Sequence, residues 1–183
     1  MPFEALIKAA AAKDPKLQIP YELLYAQVDA ESSFNPQACS HCGARGLLQL
    51  EPTAGLQVGL KECDFFDPEK NLNAGAAYLR IQYRNNYRFI TTLKGANNMC
   101  ETADYWMLAL ASYNGGFGYV LKALNLCIQD SLSIRWENVA TMLADPRCQV
   151  KGKRPDYKQM RGYVEKIFKN YRAAISNSNT EVI

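Results

Sequence analysis

The sequence predicts an all-α protein, one domain of about seven or eight helices. Apolar residues recur at helical spacings, and no run alternates apolar and polar residues for long enough to make a half-buried strand. Proline and Asp-Pro signals stand where helices would start or stop. The 183 residues are 48% apolar and 21% charged, the balance of an ordinary globular domain. That composition excludes disorder, collagen-like repeats and coiled coil. No apolar run nears the ~20 residues of a membrane span, and no repeat of solenoid period is visible.

Residues 3–13 are rich in Ala and Leu, with Leu6, Ala9 and Ala10 on one face, until Asp14-Pro15 stops the helix. Pro20 opens a second helix, 21–31, at a first-turn position where its missing N–H costs nothing. There Leu24, Val28 and Glu31 fall at i, i+4 and i+7, so a carboxylate extends an apolar stripe. Asn35-Pro36 leads into a loop over 37–49 and a short helix near 52–58. Asp67-Pro68-Glu69 combines an N-cap, a first-position proline and an early acid; the helix it starts runs to about Phe89. Its Leu72, Gly75, Ala76, Leu79 and Tyr83 share a face. Helices over 101–113 and 119–130 are broken by Asn114-Gly115-Gly116, and 156–174 forms the last, before a polar tail over 176–183.

Charge is uneven along the chain. From Arg147 onward nine basic residues stand against three acids, a net +6, whereas residues 1–146 hold 12 basic and 15 acidic groups, a net −3. A basic end suits contact with a polyanion or is simply a solvated helix face. The six cysteines (Cys39, Cys42, Cys63, Cys100, Cys127, Cys148) suggest disulfides and an oxidising compartment. Met1-Pro2-Phe3-Glu4 nevertheless lacks the basic start of a signal peptide, so either a leader has been removed or the protein leaves the cytoplasm by another route.

Glu31 is the residue with the most chemistry. Burial on an apolar face near the negative end of a helix dipole would disfavour its charged form. A carboxyl kept protonated near neutrality can donate to a leaving oxygen, as glycosidases require. A helix-terminal Glu beside Ser32 and Ser33 fits the same pattern.

Glu31-Ser32-Ser33-Phe34-Asn35-Pro36, then Gly43-Ala44-Arg45-Gly46-Leu47-Leu48-Gln49-Leu50, then Ala111-Ser112-Tyr113-Asn114-Gly115-Gly116 resemble the soluble lytic transglycosylases. Asp67-Pro68-Glu69-Lys70-Asn71 through Leu79 resembles that family's long-helix signature, and Arg161-Gly162-Tyr163-Val164 its C-terminal tyrosine motif. The resemblance runs from about residue 3 to 173. It implies a lysozyme-like, peptidoglycan-cleaving SLT domain over residues 1–175, with 176–183 a flexible tail. By position, Glu31 matches the catalytic acid/base and Ser40 a serine that holds the substrate N-acetyl group. Gln49 matches a glutamine lining the cleft. Tyr113 and Asn114 match the pair that accompanies the glutamate, and Tyr163 a tyrosine reaching the cleft from the last helix.

The resemblance implies cleavage of the bond between N-acetylmuramic acid and N-acetylglucosamine. Attack by the substrate's own 2-acetamido oxygen would then lead to a 1,6-anhydromuramoyl product, outside the two-carboxylate scheme. No metal or organic cofactor is implied. Two departures stand out: Leu48 replaces a common Met, a volume-conserving change, and Glu51 puts a second acid at the cleft. That second carboxylate could activate water and give a lysozyme-type hydrolase, or it could be a solvated first-turn residue. Gln159 stands where the family often has Glu. Cys39-Ser40-His41-Cys42 could join a fourth ligand such as Cys63 around zinc, but disulfides tying down loops are the preferred expectation.

The expected partner is the peptidoglycan glycan strand, at the cell wall or periplasm. The expected routes are a phage virion or tail or a lysis enzyme, or export with a removed leader, with virion or secretion-machinery proteins as further partners. A non-catalytic wall-binding or virion structural protein is the rival class. Nucleic acid is not expected, since the basic residues lack an aromatic stacking platform.

Overall fold

The computed structural model describes residues 3–93 and 100–180, with side chains through residue 177. Among these the protein is all-α. It comprises α1 (Glu4–Ala12), α2 (Tyr21–Ser32), α3 (Pro52–Gln57), a 3₁₀ turn at Glu62–Asp64, α4 (Pro68–Thr92), α5 (Thr102–Gly115), α6 (Phe117–Gln129), α7 (Trp136–Ala144) and α8 (Tyr157–Thr180). Extended pairing is limited to isolated bridges, Cys39 with Arg45, Arg45 with Leu50 and Val150 with Lys153. The residues cluster into two compact units, one of Met1–Arg80 with Lys166–Ile183, the other of Ile81–Glu165.

In the first unit α1 packs on α2. The face it buries is Ile7, Ala10 and Ala11 rather than Leu6, Ala9 and Ala10, and Ala9 is exposed. Spacing alone left two overlapping stripes on this Ala-rich helix, and the bulk of Ile7 selects between them. Buried Arg80, on α4, finishes α1: its Nη2 donates to the Ala10 and Ala11 carbonyls at 2.8 and 2.7 Å, and its Nε to the Leu17 carbonyl at 2.8 Å. Those helix-end carbonyls have no partner within α1, so a buried guanidinium is well used there. α4 starts as its sequence signals, with the Asp67 carboxylate accepting from Lys70 N at 2.9 Å and Pro68 in the first position. Leu72, Ala76 and Leu79 are fully buried along one face.

In the second unit α5 is buried from Trp106 to Ser112, and α6 packs on both α5 and α7. The buried Asp104 carboxylate starts two helices at once. It accepts from Glu101 N and Trp136 N, each at 2.9 Å, and pairs with Arg135 at 2.9 Å. Asn86, on α4, donates to Ser112 Oγ at 3.0 Å, tying α4 to α5. α7 was absent from the sequence expectation although Trp136, Val139, Ala140 and Leu143, all buried, carry a helical repeat. α8 continues to Thr180, so residues 176–180 are helical, while 181–183 lie outside the described residues.

Arg147 joins Asp130 and Asp145 at 2.6 and 2.8 Å. Its hydrogen bond and charge hold the Asp145 carboxyl down at about 2, against an ordinary 3.8, and lower Asp130 as well. A carboxyl depressed in the folded state supports folding above its unfolded value and loses that support as pH falls through the folded value. The melting-temperature gap between the wild-type protein and Asp145→Asn should therefore be largest above about pH 4 and close between pH 4 and 2, measured by circular dichroism.

The disulfide expectation is corrected: all six cysteines are free. Cys148 and Cys127, both buried in the second unit, show why an even count misled. The Cys148 thiol lies 3.7 Å from the Tyr119 carbonyl in the first turn of α6, whereas Cys127 is in that helix's last turn. At 1.5 Å per residue Tyr119 and Cys127 are about 12 Å apart along the axis, beyond the ~7 Å Cα span of a bridge. Nor do three or more His, Cys, Asp or Glu side chains gather as a metal site among the described residues.

Candidate active site

Glu31 sits in the last turn of α2, half-buried and in register with buried Leu24 and Val28. The chain then reverses abruptly through Ser33 (φ 49°) and Phe34 (φ 61°), two successive left-handed residues. L-residues resist that region by roughly 1–2 kcal/mol each, and a bulky Phe resists it more than most. The turn is held by the Phe34 ring against Tyr25 at 4.7 Å between centroids. Ser33 N donates to the Asp29 carbonyl, and Asn35 N to that of Ser32, both at 3.0 Å. Strain of this kind clusters at functional sites, where the surroundings over-determine the backbone.

The loop that follows is closed on itself. Ser40 N donates to the Ala44 carbonyl at 2.9 Å, and Ala44 N donates back to Ser40 Oγ at 3.0 Å, around Gly43 at φ 86°. Gln49, itself at φ 43°, donates from Nε2 to the Ala38 and Gly46 carbonyls, each at 3.0 Å. Both residues thus brace the loop with part of the side chain expected to meet substrate.

Asn71, fully buried on α4, clamps the same loop to the helix. Its Nδ2 donates to the Arg45 and Phe65 carbonyls at 3.0 and 2.9 Å, and its Oδ1 accepts from Leu48 N at 2.8 Å. Gly46 (φ 78°) lies against this clamp, where a Cβ would run into Asn71 and the Phe65 carbonyl; Leu48 in turn fills the space over Gly75. Arg45 pairs with Glu62 and stands over the Phe65 ring at 5.4 Å. Glu51 is exposed at the N-cap of α3, and no side-chain cap forms there. Burial, and secondarily the Glu51 carboxylate, raise the pKa of the Tyr78 hydroxyl.

Tyr113, Asn114 and Tyr163 belong to the second unit. Tyr113 and Asn114 are half-buried in the last turn of α5, before Gly116 turns the chain (φ 96°) into α6. Asn114 Oδ1 is buried without a hydrogen-bond partner among the described residues. A stranded acceptor of this kind costs about 1–3 kcal/mol. Gly115 leaves no room for a Cβ because Met160 of α8 packs on it, and Tyr163 is the next turn of that helix. The structure thus groups Glu31, Ser40, Gln49 and Glu51 in one unit, and Tyr113, Asn114 and Tyr163 in the other.

Residues 7–127 match the transglycosylase SLT domain. The chain belongs to this family. The SLT match takes in Glu31, Ser40, Gln49, Glu51, Tyr113 and Asn114 and ends before Tyr163. Among similar proteins, membrane-bound lytic murein transglycosylase F of Desulfosudis oleivorans is 31% identical over 142 residues, 77% of this chain and 28% of that protein. The F enzyme of Photobacterium profundum is 31% identical over 161 residues, 85% of this chain and 29% of that one. Membrane-bound lytic murein transglycosylase C of Edwardsiella ictaluri is 38% identical over 109 residues, 55% and 28% of the two chains. The SLT chain therefore spans under a third of the length of these relatives. An inactive mutant of the lytic transglycosylase Slt from Pseudomonas aeruginosa matches 98% of the chain at TM-score 0.68 and 20% identity, over 25% of its own length. The 70 kDa soluble lytic transglycosylase of Escherichia coli matches 94% at TM-score 0.64 and 20% identity, over 24% of its length. At that identity the two structures establish the SLT fold. None of the described helices is long and apolar enough to cross a membrane.

Proposed function

We propose that the protein is a peptidoglycan lytic transglycosylase that cleaves the β-1,4 bond between N-acetylmuramic acid and N-acetylglucosamine. The observation that carries this reading is Glu31 at the half-buried end of an apolar helix stripe, within a chain of the SLT family. Protonated Glu31 donates its proton to the leaving glycosidic oxygen as the C1–O bond breaks. The muramoyl 2-acetamido oxygen meanwhile bonds to C1. Ionised Glu31 then takes the proton of the muramoyl 6-hydroxyl, whose oxygen displaces the acetamido group from C1. Glu31 is regenerated, no water is consumed, and the product ends in 1,6-anhydro-N-acetylmuramic acid.

Ser40 and Gln49 present the substrate-facing loop, and Asn114 accompanies Tyr113 as the family resemblance implies. The family resemblance implies that Tyr113 orients the Glu31 carboxyl group and that Tyr163 reaches the cleft from the last helix. Glu51, exposed at the start of α3, is a substrate-side polar residue rather than a water-activating base. The work site is the cell wall, reached by a virion or lysis route or by export. Mass spectrometry of products from purified peptidoglycan tests the proposal: anhydro-ended muropeptides are expected. Reducing ends would instead establish a hydrolase, and no products a wall-binding protein.

A further inference from the structure

Within the second unit, three lysines stand apart from the other charges of the chain's basic end. Arg147 is neutralised by Asp130 and Asp145, and Arg161 is paired with Glu165 at 3.6 Å. Arg154 donates to the Ala144 carbonyl at 2.8 Å and faces Asp145, and Asp156 caps α8 through Gln159 N at 3.0 Å. Lys151, Lys153 and Lys158 are exposed, and among the described residues none has an ion pair or a side-chain hydrogen bond.

The backbone holds two of these lysines at the tip of a rigid two-residue hairpin. Val150 and Lys153 exchange both backbone hydrogen bonds at 2.9 and 3.0 Å, around Lys151 (φ 49°) and Gly152 (φ 75°). That is the twist-matched turn of a tight hairpin, though it forces a lysine into a conformation that side chains resist. Both ends are fastened. Cys148 is buried against the Tyr119 carbonyl, and the Val150 methyls lie over Gly118, 3.7 Å from where a Cβ would stand. Arg154 is tied to the end of α7, and Pro155 is buried. Gly118 is only a few residues past Asn114, and α8, whose first turn holds Lys158, packs its Met160 on Gly115. The hairpin that carries Lys151 and Lys153 therefore borders the α5–α6 junction that bears Tyr113 and Asn114, and Lys158 follows it in the first turn of α8.

We propose that Lys151, Lys153 and Lys158 receive carboxylates of the peptide stems borne by peptidoglycan strands. The proposal rests on the transglycosylase reading and deepens its substrate class to strands that carry acidic peptides. Flexible, compact ammonium groups suit carboxylates of variable position, where an arginine fork would demand one geometry. No large exposed apolar side chain accompanies the hairpin; Tyr87 is the only one in this unit among the described residues, and it lies on α4. An anionic membrane surface would call for such side chains beside the lysines.

The test compares the wild-type chain with the triple variant Lys151→Ala, Lys153→Ala, Lys158→Ala. The substrates are native strands and the same strands with their stem carboxylates capped as methylamides. Exposed charge pairs are individually weak, so three together should raise KM on native strands by about fivefold to tenfold at low salt, with kcat unchanged. On capped strands the two proteins should share one KM. An equal KM change on both substrates, or none on either, would overturn the proposal. So would a variant that keeps its KM but no longer binds phosphatidylglycerol vesicles, since the lysines would then serve a membrane. Should the wild type cleave neither substrate, the transglycosylase reading fails on its own. Co-sedimentation then decides the docking surface, which stands if native strands bind and capped strands or the variant do not, and falls otherwise.

Discussion

Glu31→Gln should lower the yield of anhydro-ended muropeptides by about 10²–10⁴-fold, the usual contribution of a positioned acid/base. Glutamine keeps the shape of the side chain but can neither donate the proton to the leaving oxygen nor take one from the 6-hydroxyl. Both halves of the cycle therefore fail together, and kcat should fall with little change in KM. The fold should survive, because Glu31 is only half-buried and the turn behind it is held by backbone bonds and the Phe34–Tyr25 contact. Parallel turnover and melting curves make the check. A variant with full activity and an unchanged melt would remove Glu31 from the chemistry.

Asn71→Ala should be among the most damaging polar substitutions to stability. It strands Leu48 N and the Arg45 and Phe65 carbonyls, which Asn71 now satisfies from a fully buried position. Unpaired buried polar groups cost about 1–3 kcal/mol apiece. Water entering the space left by the side chain would recover part of that, leaving a loss of roughly 4 kcal/mol. For a chain of this length that is about 8–16 °C in melting temperature. Asn71→Asp separates the functions of the two ends. The carboxylate still accepts from Leu48 N but cannot donate to the two carbonyls, so most of the loss should remain. If both variants melt like the wild type, the loop is held by other means.

Helix starts were the most legible part of the sequence. Asp67-Pro68-Glu69 encodes its own capping chemistry within a few residues, and α4 begins where those residues say. The apolar stripe that carries Glu31 was equally visible, since spacing alone fixes which side chains share a helix face. α7 also carried its signal in Trp136, Val139, Ala140 and Leu143, but the helix is short and its start depends on Asp104, far back in sequence. The loop geometry was not legible. Left-handed backbone at Phe34 has no local marker, since Gly or Asn would be the usual occupant, and a distant ring on Tyr25 supports it. The bracing by Gln49 and the three-way clamp of Asn71 likewise depend on carbonyls that only the folded chain brings near. Cysteine parity misled because a count carries no distance.

The free thiols divide into two kinetic populations. Cys39, Cys42 and Cys63 are open to solvent, whereas Cys127 and Cys148 are buried and Cys100 partly so. Burial pushes the Cys100 and Cys127 thiols up to about 12 and 11 and raises Cys148 as well. Thiolate is the form that alkylates, so a brief iodoacetamide pulse near pH 8 should add three adducts by intact mass and leave the other three cysteines unmodified. Two of the fast sites flank Ser40 within a loop that is closed on itself. Nature has thus left chemical handles on the segment expected to grip the sugar, and a fluorophore placed there would report its occupancy directly.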